Sequence, residues 1–288
     1  MCPMPDPAAV GFVAIPGGRI ETFRLSGGPG TPLLVIGGVE TGLRPLAGTE
    51  SVLVRRWSSR AARRPVVVVG RPLPDDPADS IRMLRPRQAA ESTAAALAGI
   101  GVPGPVAIEA ESGGGRIALW LSVEQPRLVS RLVLASVASE TPLDSPMAER
   151  MRQWIALAEH GRWGEFFAQM ALQMKPAGAT PADGFSVAAR LQPKPATPQR
   201  FIAELRATLD PASFVSARLG EIRVPTLLLA GGQDQVVPVA ATRLVADRIP
   251  GSRLAIDPDC GHTVRSAFSD YDRLVERFLA EGDPGPAP

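Results

Sequence analysis

The sequence predicts an α/β fold, a mostly parallel, doubly wound sheet of about eight strands with an inserted helical cap, and three observations carry that prediction. Short all-apolar runs such as Val66-Val67-Val68-Val69 read as strands buried on both faces. These runs alternate with helical patterns, as a parallel sheet with crossover helices requires. One of them passes through a Gly-rich turn, Gly113-Gly114-Gly115, directly into an apolar helix.

Taken in order, the chain opens with a meander over 11–15 and 20–25, and buried strands are expected at 33–36, 66–69, 106–110, 132–135, 227–230 and 254–256. Residues 88–97 are Ala-rich and helical, which lets that helix approach the sheet closely. The interval 141–219 breaks the rhythm. Met147, Met151, Trp154, Ile155 and Ala158 recur there at helical spacing, as do Trp163, Phe166, Phe167, Met170 and Met174, and no strand pattern intervenes. The expected division is therefore an α/β core over 1–140 and 220–280, a helical cap over 141–219, and a Gly/Pro-rich tail over 281–288 that should be disordered. Residues 175–198, rich in Pro, Gly and Ala, should form a loop or hinge within the cap. Most of the cap's aromatic and methionine side chains should dock it on the core. A few should roof an apolar pocket, because sites in α/β folds gather above the carboxyl ends of the strands.

At 288 residues and 45% hydrophobic composition, the chain can bury a large core around which such a cap is carried. A formal charge of +2 gives no argument for nucleic acid as a partner, and the cluster Arg55, Arg56, Arg60, Arg63 and Arg64 reads as a solvated helix face. The N-terminus has no basic and apolar leader pattern, and no apolar run is long enough for a membrane helix, so a cytoplasmic protein with no membrane partner is expected. Two histidines and two cysteines do not make a convincing metal cluster, and neither a metal nor a cofactor is expected. Cys2 falls in a terminal tail and Cys260 beside a histidine, which argues against a structural disulfide.

The chemistry is concentrated at Ala110-Glu111-Ser112-Gly113-Gly114-Gly115. A serine at so tight a strand-to-helix turn has strained backbone angles and nearly side-chain-free neighbours, and its hydroxyl is thrust above the sheet edge. Ala110 replaces the first glycine of the usual G-x-S-x-G, and the turn lacks the Lys-Ser/Thr of a phosphate-binding loop. A nucleophilic serine needs a general base, and that base needs an acid to fix its tautomer. His160 lies in a helical pattern and reads as a surface residue. His262 follows a strand and the turn Asp257-Pro258-Asp259-Cys260-Gly261, the placement a base requires. For the acid, Asp234 emerges from the most apolar strand upstream of His262, through Gly231-Gly232-Gln233. Glu140 and Asp144 compete from beyond the strand at 132–135, whereas Asp259 is too near His262 in sequence to face it easily.

With these residues in place, the chain resembles the α/β-hydrolases. The likeness rests on the elbow at Ser112, on Gln125-Pro126-Arg127-Leu128-Val129 and the strand after it, on Val224-Pro225-Thr226 leading to Gly232-Gln233-Asp234, and on Gly261-His262; it covers roughly residues 10–280. It implies a Ser112, Asp234, His262 order of triad residues and an oxyanion hole made by the Gly113 N–H with one from the loop after the third strand, Val39 or alternatively Gly38. That loop reads Ile36-Gly37-Gly38-Val39, with Gly37 where relatives commonly carry histidine. A second departure is Gly70-Arg71-Pro72 after the strand at 66–69, where relatives carry an Asp and a Gly-x-Gly-x-Ser turn; one wall of the site must be built differently. A third is Glu109, buried in a central strand, for which Arg116 and Arg71 are the candidate partners. The expected function is hydrolysis of a carboxylic ester, thioester or lactone on a small, partly apolar acyl substrate. Acyl transfer on the same triad, a cofactor-free haloperoxidase side reaction and a non-catalytic ligand-binding scaffold are the alternatives.

Overall fold

The computed structural model describes residues 8–102, 104–176, 178 and 198–281. The expectations for Cys2, for 177 and 179–197 of the hinge, and for 282–288 of the tail lie outside the described residues. β1 (Ala8–Ile15) and β2 (Gly18–Leu25) form an antiparallel hairpin that turns at Gly17, where φ is 75°. There follow β3 (Leu33–Ile36), α1 (Val39–Leu43), α2 (Glu50–Ala61), β4 (Val66–Val69) and β5 (Leu73–Pro74). Then come α3 (Ser80–Leu84), α4 (Pro86–Gly99), β6 (Val106–Glu111), α5 (Gly113–Glu124) and β7 (Val129–Ala135). Between β7 and β8 (Thr226–Gly231) stand α6 (Pro146–Glu159), α7 (Trp163–Met174) and α8 (Pro198–Leu209), with no strand among the described residues there. The chain closes through α9 (Val239–Arg248), β9 (Arg253–Asp257), α10 (Val264–Ala267) and α11 (Tyr271–Ala280).

The strand order is β1-β2-β4-β3-β6-β7-β8-β9, parallel from β4 onward, with β5 pairing β2. The count is nine because β5 is two residues long, too short for any periodicity in sequence. β7 begins three residues before the expected start, and Arg131 in this added stretch is accommodated by charge contacts: its guanidinium lies 5.2 Å from the Phe278 ring and 3.6 Å from Glu281.

Side-chain alternation explains the all-apolar runs. Leu34, Ile36, Val67 and Val69 enter one core with α4, α5 and α9, while Leu33, Val35, Val66 and Val68 enter the other with α2 and α11. A third cluster joins α6, α7 and α8 to Val236 and Val237 just after β8, and so seats the insert over the carboxyl ends of the strands. Pro146 and Ser145 start α6, the Ser145 hydroxyl accepting from Ala148 N at 3.2 Å. No helix among the described residues is long and apolar enough to cross a membrane.

The arginine cluster is not a uniformly solvated face. Arg55, Arg56 and Arg63 are exposed, but Arg60 and Arg64 are fully buried. Arg60 shares the inner face of α2 with Trp57 and Ala61 and reaches Glu109 at 3.1 Å, Glu276 at 2.6 Å and Asp272 at 2.8 Å. Glu109 is thereby corrected as well: its partners are Arg60, Arg265 and the Tyr271 hydroxyl at 3.1 Å, not Arg116 or Arg71. Burial alone would raise the Glu109 pKa, and the cations of Arg265 and Arg60 override it and hold it below the usual carboxylate value. Arg116 instead binds three oxygens, Ala138 O, Thr208 O and Thr141 Oγ1, and burial pushes its pKa down to about 10.

Candidate active site

Ser112 stands between β6 and α5 with φ 50° and ψ −124°, a conformation that costs a non-glycine residue on the order of 1–3 kcal/mol. The surrounding packing enforces it. Ser112 N donates to Ala135 O on the neighbouring strand at 2.9 Å. A Cβ on Gly114 would lie 2.3 Å from Gly37 O, and one on Gly115 would lie 2.1 Å from Val137 Cγ2, so each glycine marks a close approach that any side chain would block.

His262 follows β9 and Asp234 follows β8, and both side chains are buried. Ser112 Oγ lies 3.0 Å from His262 Nε2, and His262 Nδ1 lies 2.8 Å from Asp234 Oδ2. The second Asp234 oxygen, Oδ1, accepts from Val236 N and Val237 N at 2.8 Å each, which fixes the carboxylate plane. A carboxylate can only accept, so Nδ1 of neutral His262 carries the proton and Nε2 is left to accept from the Ser112 hydroxyl. The structure thus brings Ser112, Asp234 and His262 together. His160 lies apart at the end of α6, exposed, its Nδ1 2.7 Å from Ala156 O. Asp144 and Asp259 are exposed, and neither they nor Glu140 bond His262. Cys260 is buried beside the histidine, and burial, with Asp257 and Asp234 nearby, pushes its thiol up to about 11; it is no competing nucleophile.

Gly113 and Val39 are the first residues of α5 and α1, so their N–H groups have no intrahelical acceptor. They are neighbours: a Cβ on Gly113 would lie 3.5 Å from Val39 N. Arg71, expected only as a departure from the family pattern and a candidate partner of Glu109, is buried and bonds the Gly37-Gly38 turn and Glu204 of α8. The available signal was a charged residue two positions after a buried strand, where it had to find a partner.

A cavity of about 430 Å³ opens over Ser112. Met147, Met151, Trp154, Met170 and Met174 of the insert line it, with Phe201, Leu205, Val236 and Val237. Trp163, Phe166 and Phe167 are not among its walls; inside the insert Phe166 packs edge-on against Trp163, Phe167 and Phe201. The polar part of the lining includes Thr41, Arg56, Glu111 and Arg265.

Residues 90–266, well over half of the chain, match the family described as serine aminopeptidase, S33. Among curated proteins, a 2-hydroxymuconate semialdehyde hydrolase of Pseudomonas putida is 29% identical over 189 residues, which cover 61% of this chain and 63% of that protein, less than two thirds of its length. Among solved structures, MGS-M2, an α/β hydrolase enzyme from a Medee basin deep-sea metagenome library, superposes with a TM-score of 0.78 at 16% identity over 96% of this chain and 100% of its own. Est816, described as an N-acyl homoserine lactone degrading enzyme, superposes with a TM-score of 0.70 at 23% identity over 93% of this chain and 100% of its own. Identities this low speak for the fold alone, whereas the family match speaks for descent: the chain belongs to the serine aminopeptidase S33 family of α/β hydrolases.

Proposed function

We propose that the protein cleaves a carboxylic ester, thioester or lactone through an acyl-enzyme, with Ser112 as nucleophile, His262 as general base and acid, and Asp234 as the orienting acid. The single observation that supports this most is the unbroken relay from Ser112 Oγ to His262 Nε2 at 3.0 Å and from His262 Nδ1 to Asp234 at 2.8 Å. In the first half-reaction Oγ bonds to the substrate carbonyl carbon and its proton passes to Nε2. The carbonyl oxygen becomes an oxyanion facing the N–H groups of Gly113 and Val39. Collapse breaks the bond to the leaving oxygen or sulfur, which takes the proton from Nε2. Water then repeats the sequence, losing a proton to Nε2 and releasing the acid as Ser112 regains its own. Residues 141–219 act as a cap whose apolar wall suits a partly apolar acyl group.

The relative's name favours a second reading. A muconate semialdehyde contains no ester, so its hydrolysis must break a bond to carbon, and the same acyl-enzyme scheme serves if the leaving group is a stabilised carbanion rather than an alkoxide. A panel of esters, thioesters and lactones set against 2-hydroxymuconate semialdehyde separates the two.

Treatment with a fluorophosphonate probe tests the shared core of both readings: covalent attachment at Ser112 is expected, and none in Ser112→Ala. A folded wild-type protein that takes up no label would sink the proposal.

The oxyanion assignment has its own check. Val39→Ala should be mild, because the donor is main chain, whereas Val39→Pro deletes the N–H and should lower turnover by about two to three orders of magnitude with a smaller effect on substrate binding. A Val39→Pro enzyme shown to be well folded and fully active moves the second donor to Gly38.

A further inference from the structure

The Gly37-Gly38 turn has no side chain of its own, yet both candidate N–H groups for the second oxyanion contact, those of Gly38 and Val39, belong to its peptide units. Across a trans peptide the C=O and N–H point in opposite directions. Whatever holds Gly37 O therefore aims the Gly38 N–H, and whatever holds Gly38 O aims the Val39 N–H.

Gly38 O accepts from Gly42 N within α1 at 2.8 Å and from Thr41 Oγ1 at 3.4 Å, and one side chain from outside the turn reaches both carbonyls. Arg71 Nη2 donates to Gly37 O at 2.9 Å and to Gly38 O at 3.2 Å. Its backbone N donates to Gly42 O at 2.8 Å, at the far end of α1. Space is reserved for the guanidinium: a Cβ on Gly42 would lie 2.4 Å from Arg71 Nη1. A cation against the carbonyl oxygens also polarises the two amides so that their N–H groups become stronger donors.

The guanidinium is fixed from above by the insert. Arg71 Nε donates to Glu204 Oε1 of α8 at 2.7 Å, and one turn earlier on the same helix Arg200 donates to Pro72 O at 2.9 Å. Glu204 is buried and its Oε2 has no hydrogen-bond partner among the described residues. Burial raises its pKa against the pull of Arg71 and, more weakly, of Arg200, which is the cost of bringing a carboxylate to this place.

Resting on the serine-hydrolase reading above, we propose that Arg71 is a positioning residue for the oxyanion contact. Glu204 holds Arg71 in that role, so that the insert and the oxyanion turn move as one unit. Arg71 touches no reacting atom and acts through two peptide groups.

The test compares Arg71→Met, Arg71→Lys and Glu204→Gln with the wild type on an aryl ester, and adds the affinity for a trifluoromethyl ketone, whose hemiketal oxyanion fills the same contact. Arg71→Met keeps an apolar stem but removes the clamp. It should lower kcat about 10- to 100-fold with KM within about threefold, and weaken the ketone by a factor like that on kcat. Arg71→Lys, which retains a cation but not the fork, should recover part of both losses, and Glu204→Gln should shift both by about a few-fold in the same direction. An Arg71→Met protein that melts as the wild type does and keeps its kcat and ketone affinity overturns the inference, as does a loss expressed only in KM. Should Arg71→Met fail to fold, Arg71→Lys decides: kcat and ketone affinity reduced together at constant KM uphold the clamp, and wild-type values for both overturn it. If wild-type turnover is independent of Ser112, the serine-hydrolase reading fails and this inference falls with it. If turnover depends on Ser112 but not on Arg71, the inference alone fails.

Discussion

Ser112→Ala and His262→Ala are each expected to lower ester turnover by about four or more orders of magnitude while leaving the protein folded. The two groups act as one unit, so either loss removes the activated nucleophile. The fold has little reason to fail. Ser112→Ala deletes a single atom whose hydrogen bond runs to His262, and the backbone bond from Ser112 N to Ala135 O stays. His262→Ala leaves Asp234 with both of its amide donors, Val236 N and Val237 N. Steady-state rates, with thermal melts to verify folding, give the answer. His160→Ala is the control and should stay within a few-fold of wild type, since that ring is exposed and bonds the carbonyl one turn before it. Undiminished activity in Ser112→Ala would end the triad assignment.

Asp234→Asn should cost about three to four orders of magnitude in turnover, through the tautomer of the base rather than through any loss of packing. Val236 N and Val237 N both donate to Oδ1, so the asparagine must keep its oxygen on that side and turn its NH2 toward His262 Nδ1. An NH2 donates, which forces Nδ1 to accept and puts the ring proton on Nε2, facing the Ser112 hydroxyl it should deprotonate. Glu140→Gln and Asp144→Asn should change turnover little. The reverse pattern, measured as kcat/KM across the three variants, would transfer the acid to the segment after β7.

What could be read from the sequence was local or strictly ordered. The central strands announce themselves because alternate side chains enter two apolar cores, leaving no polar position in runs such as 66–69. Gly114 and Gly115 are visible around Ser112 because a Cβ at either place would strike a neighbouring chain segment. Long-range charge pairing was not legible. Glu109 finds Arg60 49 positions away and Arg265 156 positions away, and Arg71 meets Glu204 across 133 positions. No spacing rule connects such residues; only the order of strands and the docking of α8 brings them together. The solvated-face reading of the arginine cluster failed at Arg60 for the same reason, since its burial depends on Glu109 and on α11 arriving from the far end of the chain.

The charge network under β6 has a consequence for behaviour in acid. Folded Glu109 holds its proton less tightly than an ordinary glutamate, so the unfolded chain binds more protons than the folded one between the two values. The stability that this carboxylate contributes is complete above the ordinary glutamate value of 4.5 and drains away as the pH falls through the lower, folded one. Glu109 lies three residues before Ser112, on the strand that carries the elbow. Acid therefore weakens the strand on which the site is founded, and a fall in melting temperature below that value, reduced in Glu109→Gln, is the expected sign of it.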